Sequence, residues 1–310
     1  MTRILTVTLN PAIDVTYRVA GLAVGETVRV TEVRSRAGGK GVNVAAVARQ
    51  LGGDSLVLAL SGRAEPDEFR AGLDRLGLPH RLVPALAAVR RTVAVVADDG
   101  VTTSLQERGT AVAAGTRDEV VAAFRAELAA GVGAVVISGS VPPGLGDEVP
   151  ARLARLGAEA GVPVIADVSG AALRAAATTG SVLVPNRDEL AELSGTRLDV
   201  LAAGRRLVRD GAAAVVATLG EEGVVAVTAD REFVVRPVEK VVGNPTGAGD
   251  AAAAALARHL AAGVSTVDWP AALADVVATS AAAVRCPVAG EVDLEARAGW
   301  LDALAVKETA

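Results

Sequence analysis

The 310-residue chain is 51% hydrophobic but only 2% aromatic, and it carries a formal net charge of −5. Its core must therefore be built from Ala, Val and Leu, and neither a base-stacking platform nor a broad nucleic-acid footprint is expected. One cysteine, Cys286, and two histidines far apart in sequence, His80 and His259, exclude a disulfide framework and a Cys-based zinc cluster and fit a reducing cytoplasm.

The N-terminus lacks the sustained apolar core and cleavage site of a secretory leader and reads as a first strand. Apolar β-type runs follow at residues 4–9, 56–60, 132–137, 162–166, 182–184 and 214–219, separated by Ala/Leu-rich stretches long enough for helices. That rhythm predicts a parallel sheet. Residues 27–34 alternate, and residues 92–106 form a hairpin around Asp99-Gly100, so both predict a small accessory sheet over the mouth of the main one. Residues 116–130 set Val120, Val121, Phe124 and Leu128 on one helical face. The uncharged run 128–146 contains five glycines and Pro142-Pro143, which makes it a poor membrane helix. The expectation is a single domain, residues 1–310. It is a three-layer α/β/α fold with a mostly parallel central sheet and a small β-sheet lid from about residues 10–36 and 88–110. A soluble cytoplasmic protein with no membrane or nucleic-acid partner fits this pattern.

The sharpest local signal is Gly243-Asn-Pro-Thr-Gly-Ala-Gly-Asp250, which runs straight into the Ala-rich stretch 251–262. Glycines at 247 and 249 allow a tight turn and close ligand approach, and the first N–H groups of the helix favour negative charge above them. Asp250, at the same helix start, is placed to accept a proton from a hydroxyl that attacks a phosphoryl group. From this motif alone, an ordinary glycine turn with an acid near a helix dipole reads equally well.

A second glycine turn, Ala37-Gly-Gly-Lys-Gly-Val-Asn43, opens a helix that runs to about residue 51. Gly38 and Gly39 allow close backbone approach, and Asn43 offers a donor and an acceptor to hydroxyls. Lys40, one of only three lysines against 28 arginines, supplies a point charge. The spacing fits neither a dinucleotide fingerprint nor a Walker A loop.

Six segments, LNPAID (9–14), GGKGVN (38–43), SGSVPPG (138–144), PNRDE (185–189), TLGEEG (218–223) and NPTGAGD (244–250), occur in the order seen in ribokinase-like (PfkB) sugar kinases. The chain resembles that family over about four fifths of its length, and LNPAID with GGKGVN is most similar to the 1-phosphofructokinase and tagatose-6-phosphate kinase branch. The resemblance implies ATP as phosphoryl donor, Asp250 as base, and an anion hole at Gly247, Ala248 and Gly249. It implies a sugar pocket with Asp14, Asn43, Gly38 and Gly39, and a nucleotide loop with Thr218, Gly220 and Gly223. Asn186 and Glu189 match the motif that organises Mg²⁺ and the phosphates, with Glu189 acting through water. On their own these two residues read more readily as a helix cap and a solvated charge.

Cations at Arg29, Lys40 and Arg91 lie in the predicted lid and the glycine turn of an otherwise acidic protein, and they suit a substrate that already carries a phosphate. Where the branch has Thr-Arg-x-Asn, Arg91 is set on the arginine and Val93 on the asparagine, which leaves one contact missing. Arg108, Ser138 and Ser140 receive no role. The expected reaction is phosphorylation of a ketohexose monophosphate, fructose 1-phosphate first, with tagatose 6-phosphate or fructose 6-phosphate next. A kinase of an unphosphorylated sugar and a catalytically silent sugar-binding regulator on the same fold are the rivals. The family also implies a homodimer through the lid.

Overall fold

The structure, a computed structural model, describes residues 2–194 and 199–309. In chain order come β1 (Ile4–Thr8), β2 (Ala12–Val19), β3 (Val30–Gly38), α1 (Lys40–Gln50), β4 (Ser55–Gly62), α2 (Glu68–Arg75) and β5 (His80–Leu86). The chain continues through β6 (Arg90–Ala97), β7 (Thr102–Gln106), α3 (Thr116–Ala130), β8 (Ala134–Ser138), α4 (Val149–Glu159), β9 (Val164–Asp167) and α5 (Gly170–Ala176). Next are β10 (Val182–Leu183), α6 (Arg187–Ser194), α7 (Val200–Arg209), β11 (Ala214–Thr218), β12 (Val224–Val227) and β13 (Glu232–Val235). The last elements are α8 (Ala248–Leu260), α9 (Trp269–Val284), α10 (Leu294–Leu301) and β14 (Val306–Thr309).

The main sheet runs β14-β13-β12-β11-β10-β9-β8-β1-β4-β5. From β11 to β5 every neighbouring pair is parallel, and β12 to β14 add an antiparallel edge. Period-two alternation divides its side chains between two cores. Ile4, Val136 and Val216 face α1, α8 and α9, whereas Leu5, Val135, Ile137 and Val215 face α3, α4, α5 and α7. This is the expected three-layer architecture. All six predicted runs are strands of this sheet, and the predicted helix 116–130 is α3.

Four strands escaped the sequence reading. β5 carries Arg81 and Pro84 and lies at the sheet edge, where a missing N–H is tolerated, so it lacks the apolar signature of a central strand. β12, β13 and β14 are short antiparallel edge strands, only four residues each.

A second sheet, β3-β2-β6-β7, arises from residues 12–38 and 90–106. Its β6–β7 hairpin turns at Asp99-Gly100 as expected. On one face Ile13 and Val15 pack with Phe69 and Leu73 of α2. The opposite face carries the row Arg36–Asp14–Thr92–Gln106 towards the ends of the main-sheet strands.

Helix α8 begins at Ala248, three residues before the Ala-rich run predicted for it, so the Ala-Gly-Asp segment forms its first turn. Ala251 to Ala255 and Ala257 are at most 1% exposed. Their short side chains let the helix press close against α1 and the sheet, which brings its N-terminus to the strand ends.

Candidate active site

Parallel strands β1, β8, β9 and β11 end at one edge of the main sheet. The residues there, together with the polar face of the small sheet, line a cleft of about 730 Å³.

Two helix N-termini meet at its floor. Gly247, with φ 86°, makes the left-handed turn that launches α8, and Asp250 occupies its first turn. Asp250 is only 6% exposed, and its Oδ2 accepts a hydrogen bond from Asn43 Nδ2 at 2.9 Å. Burial pushes its pKa from the ordinary 3.8 up to about 7; Lys40 and the Asn43 hydrogen bond pull against this, and Asp167 adds to the rise. Lys40, the first residue of α1, donates to Asp167 Oδ1 at 2.9 Å, and Ser138 Oγ donates to Asp167 Oδ2 at 2.6 Å. Asp167 foremost, with help from Asp250 and Glu189, keeps the lysine charged beyond its ordinary range although burial opposes this.

Ala248 N–H donates to the Pro245 carbonyl at 3.2 Å, whereas the N–H groups of Gly249 and Asp250 have no intramolecular acceptor among the described residues. The space around Gly249 is open. A phosphoryl group fits there, because free N–H groups and the helix dipole both favour an anion.

The wall is the small sheet. Thr92 Oγ1 donates to Asp14 Oδ1 across the parallel pair β2–β6. Burial raises the Asp14 pKa, opposed by Thr92, Arg36, the Gly39 N–H and Arg90. Arg90 lines the cleft and donates to the Glu107 carbonyl at 2.8 Å. At the other end, Asn186 N–H donates to Glu189 Oε2 and Glu189 N–H donates to Asn186 Oδ1, both at 2.9 Å. This is a reciprocal cap on α6. The second oxygen of Glu189 takes no hydrogen bond among the described residues, and burial raises the pKa of the carboxyl.

A buried carboxyl of raised pKa at a helix start with free N–H groups, opposite a polar sheet wall, suits phosphoryl transfer. Residues 3–297 match the profile of the pfkB family carbohydrate kinases. The chain belongs to that family. A 1-phosphofructokinase of Xanthomonas campestris is 34% identical to the kinase over 83% of each chain. An ATP-dependent 6-phosphofructokinase isozyme 2 of Mycobacterium tuberculosis is 33% identical over 86% of this chain and 80% of its own. Among solved structures, phosphofructokinase-2 from Escherichia coli in complex with potassium superposes with a TM-score of 0.88 at 25% identity, covering 98% and 99% of the two chains.

In the kinase, the sequence-predicted Asp14, Gly39, Lys40, Asn43, Asn186, Glu189, Thr218, Gly247, Gly249 and Asp250 all line the one cleft. Ala248 contributes backbone to the same turn. Gly38 lies directly behind Asp14, where a Cβ would run into the carboxylate.

Other expectations need correction. Arg91 points to the opposite face and pairs with Glu68 at 2.9 Å, half exposed. The register Asp14↔Thr92 puts residues 90 and 92 on the cleft face, so Arg90 and not Arg91 faces the cleft, because a shift of one residue along a strand inverts the face. Thr92 on that face donates to Asp14, and Val93 also borders the cleft. Arg29 is exposed in the segment before β3 and does not line the cleft. Lys40 is in the glycine turn, as expected, and there it sits on the cleft floor near both Asp167 and Asp250. Gly220 and Gly223 shape the turn from β11 into β12 and stay outside the lining, which Thr218 alone of that loop reaches.

Arg36, Arg90, Asp167, Asn10 and Ser140 were not singled out as site residues from sequence, yet all line the cleft. Asp167 was findable, because it directly follows a predicted parallel strand at its carboxyl end. Ser138 anchors Asp167, Ser140 accepts from Asn10 Nδ2 at 2.9 Å, and Arg108 lies in a separate depression beside Arg117.

Proposed function

We propose that the kinase transfers the γ-phosphoryl group of ATP to a fructose phosphate, fructose 1-phosphate first, with Asp250 as general base. The observation that carries this reading is the Asp250 carboxylate, buried on the cleft floor with its pKa raised to about 7, next to unpaired N–H groups of its own helix.

Asp14 and Asn43 hold the sugar hydroxyls, and Asp250 takes the proton of the reacting one. The hydroxyl oxygen bonds to the γ-phosphorus as the bond to ADP breaks, and the Gly249 and Asp250 N–H groups with Lys40 counter the charge on the moving group. Arg90, in place of Arg91, holds the phosphate of the sugar. Among the described residues no three carboxylates, histidines or cysteines form a metal cage. A hydrated Mg²⁺ suits this donor set, with Glu189 reaching it through water by its unbonded oxygen. Such an ion would neutralise the nucleotide phosphates.

A second reading, fructose 6-phosphate or tagatose 6-phosphate as substrate, draws support from the nearly equal identity to the 6-phosphofructokinase relative. Initial rates with ATP on fructose 1-phosphate, fructose 6-phosphate, tagatose 6-phosphate and free fructose test the order. The highest kcat/KM is expected for fructose 1-phosphate, and a preference for fructose 6-phosphate would transfer the assignment to the second reading.

The outer face of the small sheet exposes Val33 and Leu105, 60% and 58% accessible, which supports a homodimer through that sheet. Among the described residues no helix is long and apolar enough to cross a membrane, and the cytoplasmic location rests on the single free cysteine.

A further inference from the structure

Arg36 stands in the sugar-facing row of the small sheet beside Asp14 and lines the cleft, yet one arm of its guanidinium reaches away from it. Nη1 donates to the carbonyl of Ala289, 253 positions away in the chain, in the loop between α9 and α10. That loop backs the phosphoryl turn: a Cβ built on Gly247 would stand 2.7 Å from that of Ala289, so the two segments are in van der Waals register only because residue 247 is glycine. The next residue, Gly290, fits against both sugar-side groups, since a Cβ there would lie 2.7 Å from Arg36 Nη2 and 3.0 Å from Asn43 Oδ1. From α1, Gln50 holds the same loop, with Nε2 donating to the Gly290 carbonyl at 2.7 Å and Oε1 accepting from Val292 N–H at 3.1 Å.

Two atoms in this arrangement are buried without a hydrogen-bond partner, the Arg36 Nη2 donor and the Asn43 Oδ1 acceptor, and they flank the same point beside Gly290. A buried donor and a buried acceptor left unmade are costly, so a small shift that satisfies them is favoured. A sugar engaging Asp14 and Asn43 acts on the two residues that touch Arg36 and Gly290. We propose that Arg36 is a positioning residue that, through the 286–292 loop, ties sugar occupancy of the small-sheet wall to the setting of the phosphoryl turn at Gly247. Sugar binding thereby aligns the turn for transfer to the sugar, and an empty sugar site leaves it misaligned for transfer to water. The inference rests on the kinase reading above.

The test is the coupling ratio, ADP formed per sugar phosphate product formed, measured with kcat and KM for Arg36→Lys and for Gln50→Met. The ratio does not depend on the fraction of protein that is folded. The wild type should give about one ADP per product; failure of the wild type to phosphorylate any fructose phosphate would remove the kinase reading itself. Displacement of a reacting group by about 1 Å costs on the order of 10²-fold, so Arg36→Lys should lower kcat roughly 10–100-fold. KM for the sugar phosphate should change much less, and the ratio should rise above one. Gln50→Met, which touches no cleft residue except through the loop, should shift the ratio in the same direction. A ratio that stays at one in both variants, or a rise in KM with kcat intact, would overturn the proposal while the kinase reading stands.

Discussion

Asp250 concentrates the electrostatic tension of the site in one residue. Its carboxyl is raised from the ordinary 3.8 to about 7, so folding favours the protonated form. The stability it contributes is full below about pH 4 and is lost as pH rises through about 7. Asp250→Asn removes a buried charge while Lys40 keeps Asp167 as its partner. The variant should therefore melt roughly 2–6 °C above the parent at pH 8, with the gap closing towards pH 4. A lower Tm for the variant at pH 8 would show that the charge is stabilised in the fold instead of strained.

Asp275 behaves in the opposite way. Burial alone would raise its pKa, but hydrogen bonds from His259, Arg297 and Thr279 outweigh it and hold the carboxyl at about 2. Its contribution is present above about pH 4 and is lost as pH falls towards 2. Arg297 Nη2 lies 2.6 Å from Asp275, with its side chain only 17% exposed. Asp275→Asn should therefore cost about 3 kcal/mol at pH 7 by denaturant titration, because it leaves that cation without its partner. Turnover should persist, since this network joins α8, α9 and α10 away from the cleft.

At the scale of elements, the central question is which face of β6 meets the substrate. Arg90 and Thr92 share the cleft face with Asp14, and Arg91 looks outward to Glu68. Arg90→Ala should lower kcat/KM for the phosphorylated sugar roughly 10–100-fold, the scale of a lost charged hydrogen bond. Arg91→Ala should change it little, because an exposed ion pair contributes at most about 1 kcal/mol to stability and none to the site. A larger effect at Arg91 than at Arg90, measured on the same substrate, would show that the sheet register is different.

This strand also marks the limit of what the sequence reveals. The glycine turns with Asp250 and Lys40 were legible because helix starts announce themselves by local spacing, and the parallel strands because they are continuous apolar runs. Arg90 was not, since facing depends on the partner strand and a shift of one residue inverts it. Arg36 was missed for a related reason: its contact lies 253 positions away, and no local pattern encodes it. Asn186 and Glu189 fit both readings, because the reciprocal cap fixes the side chains of two cleft-lining residues and leaves one carboxylate oxygen without a hydrogen bond among the described residues.

Over the whole molecule, the parallel strands β1, β8, β9, β10 and β11 direct their C-terminal ends to one edge, and the small sheet closes that edge from above. The outer face of the small sheet keeps Val33 and Leu105 exposed. If copies pair there, Leu105→Asp should shift the sedimentation coefficient from dimer to monomer at micromolar concentration, and a wild type that sediments as a monomer would contradict the pairing.

The account as a whole stands on Asp250 acting as the base in transfer from ATP to a fructose phosphate. The most direct measurement is single-turnover phosphoryl transfer to fructose 1-phosphate as a function of pH, for wild type and Asp250→Asn. The base must be ionised to accept the proton, so the wild-type rate should rise with pH through about 7 and then level. The variant should be slower by roughly 10²–10⁴-fold and lose that rise. Transfer by Asp250→Asn at near wild-type rate with the same pH profile would contradict the account.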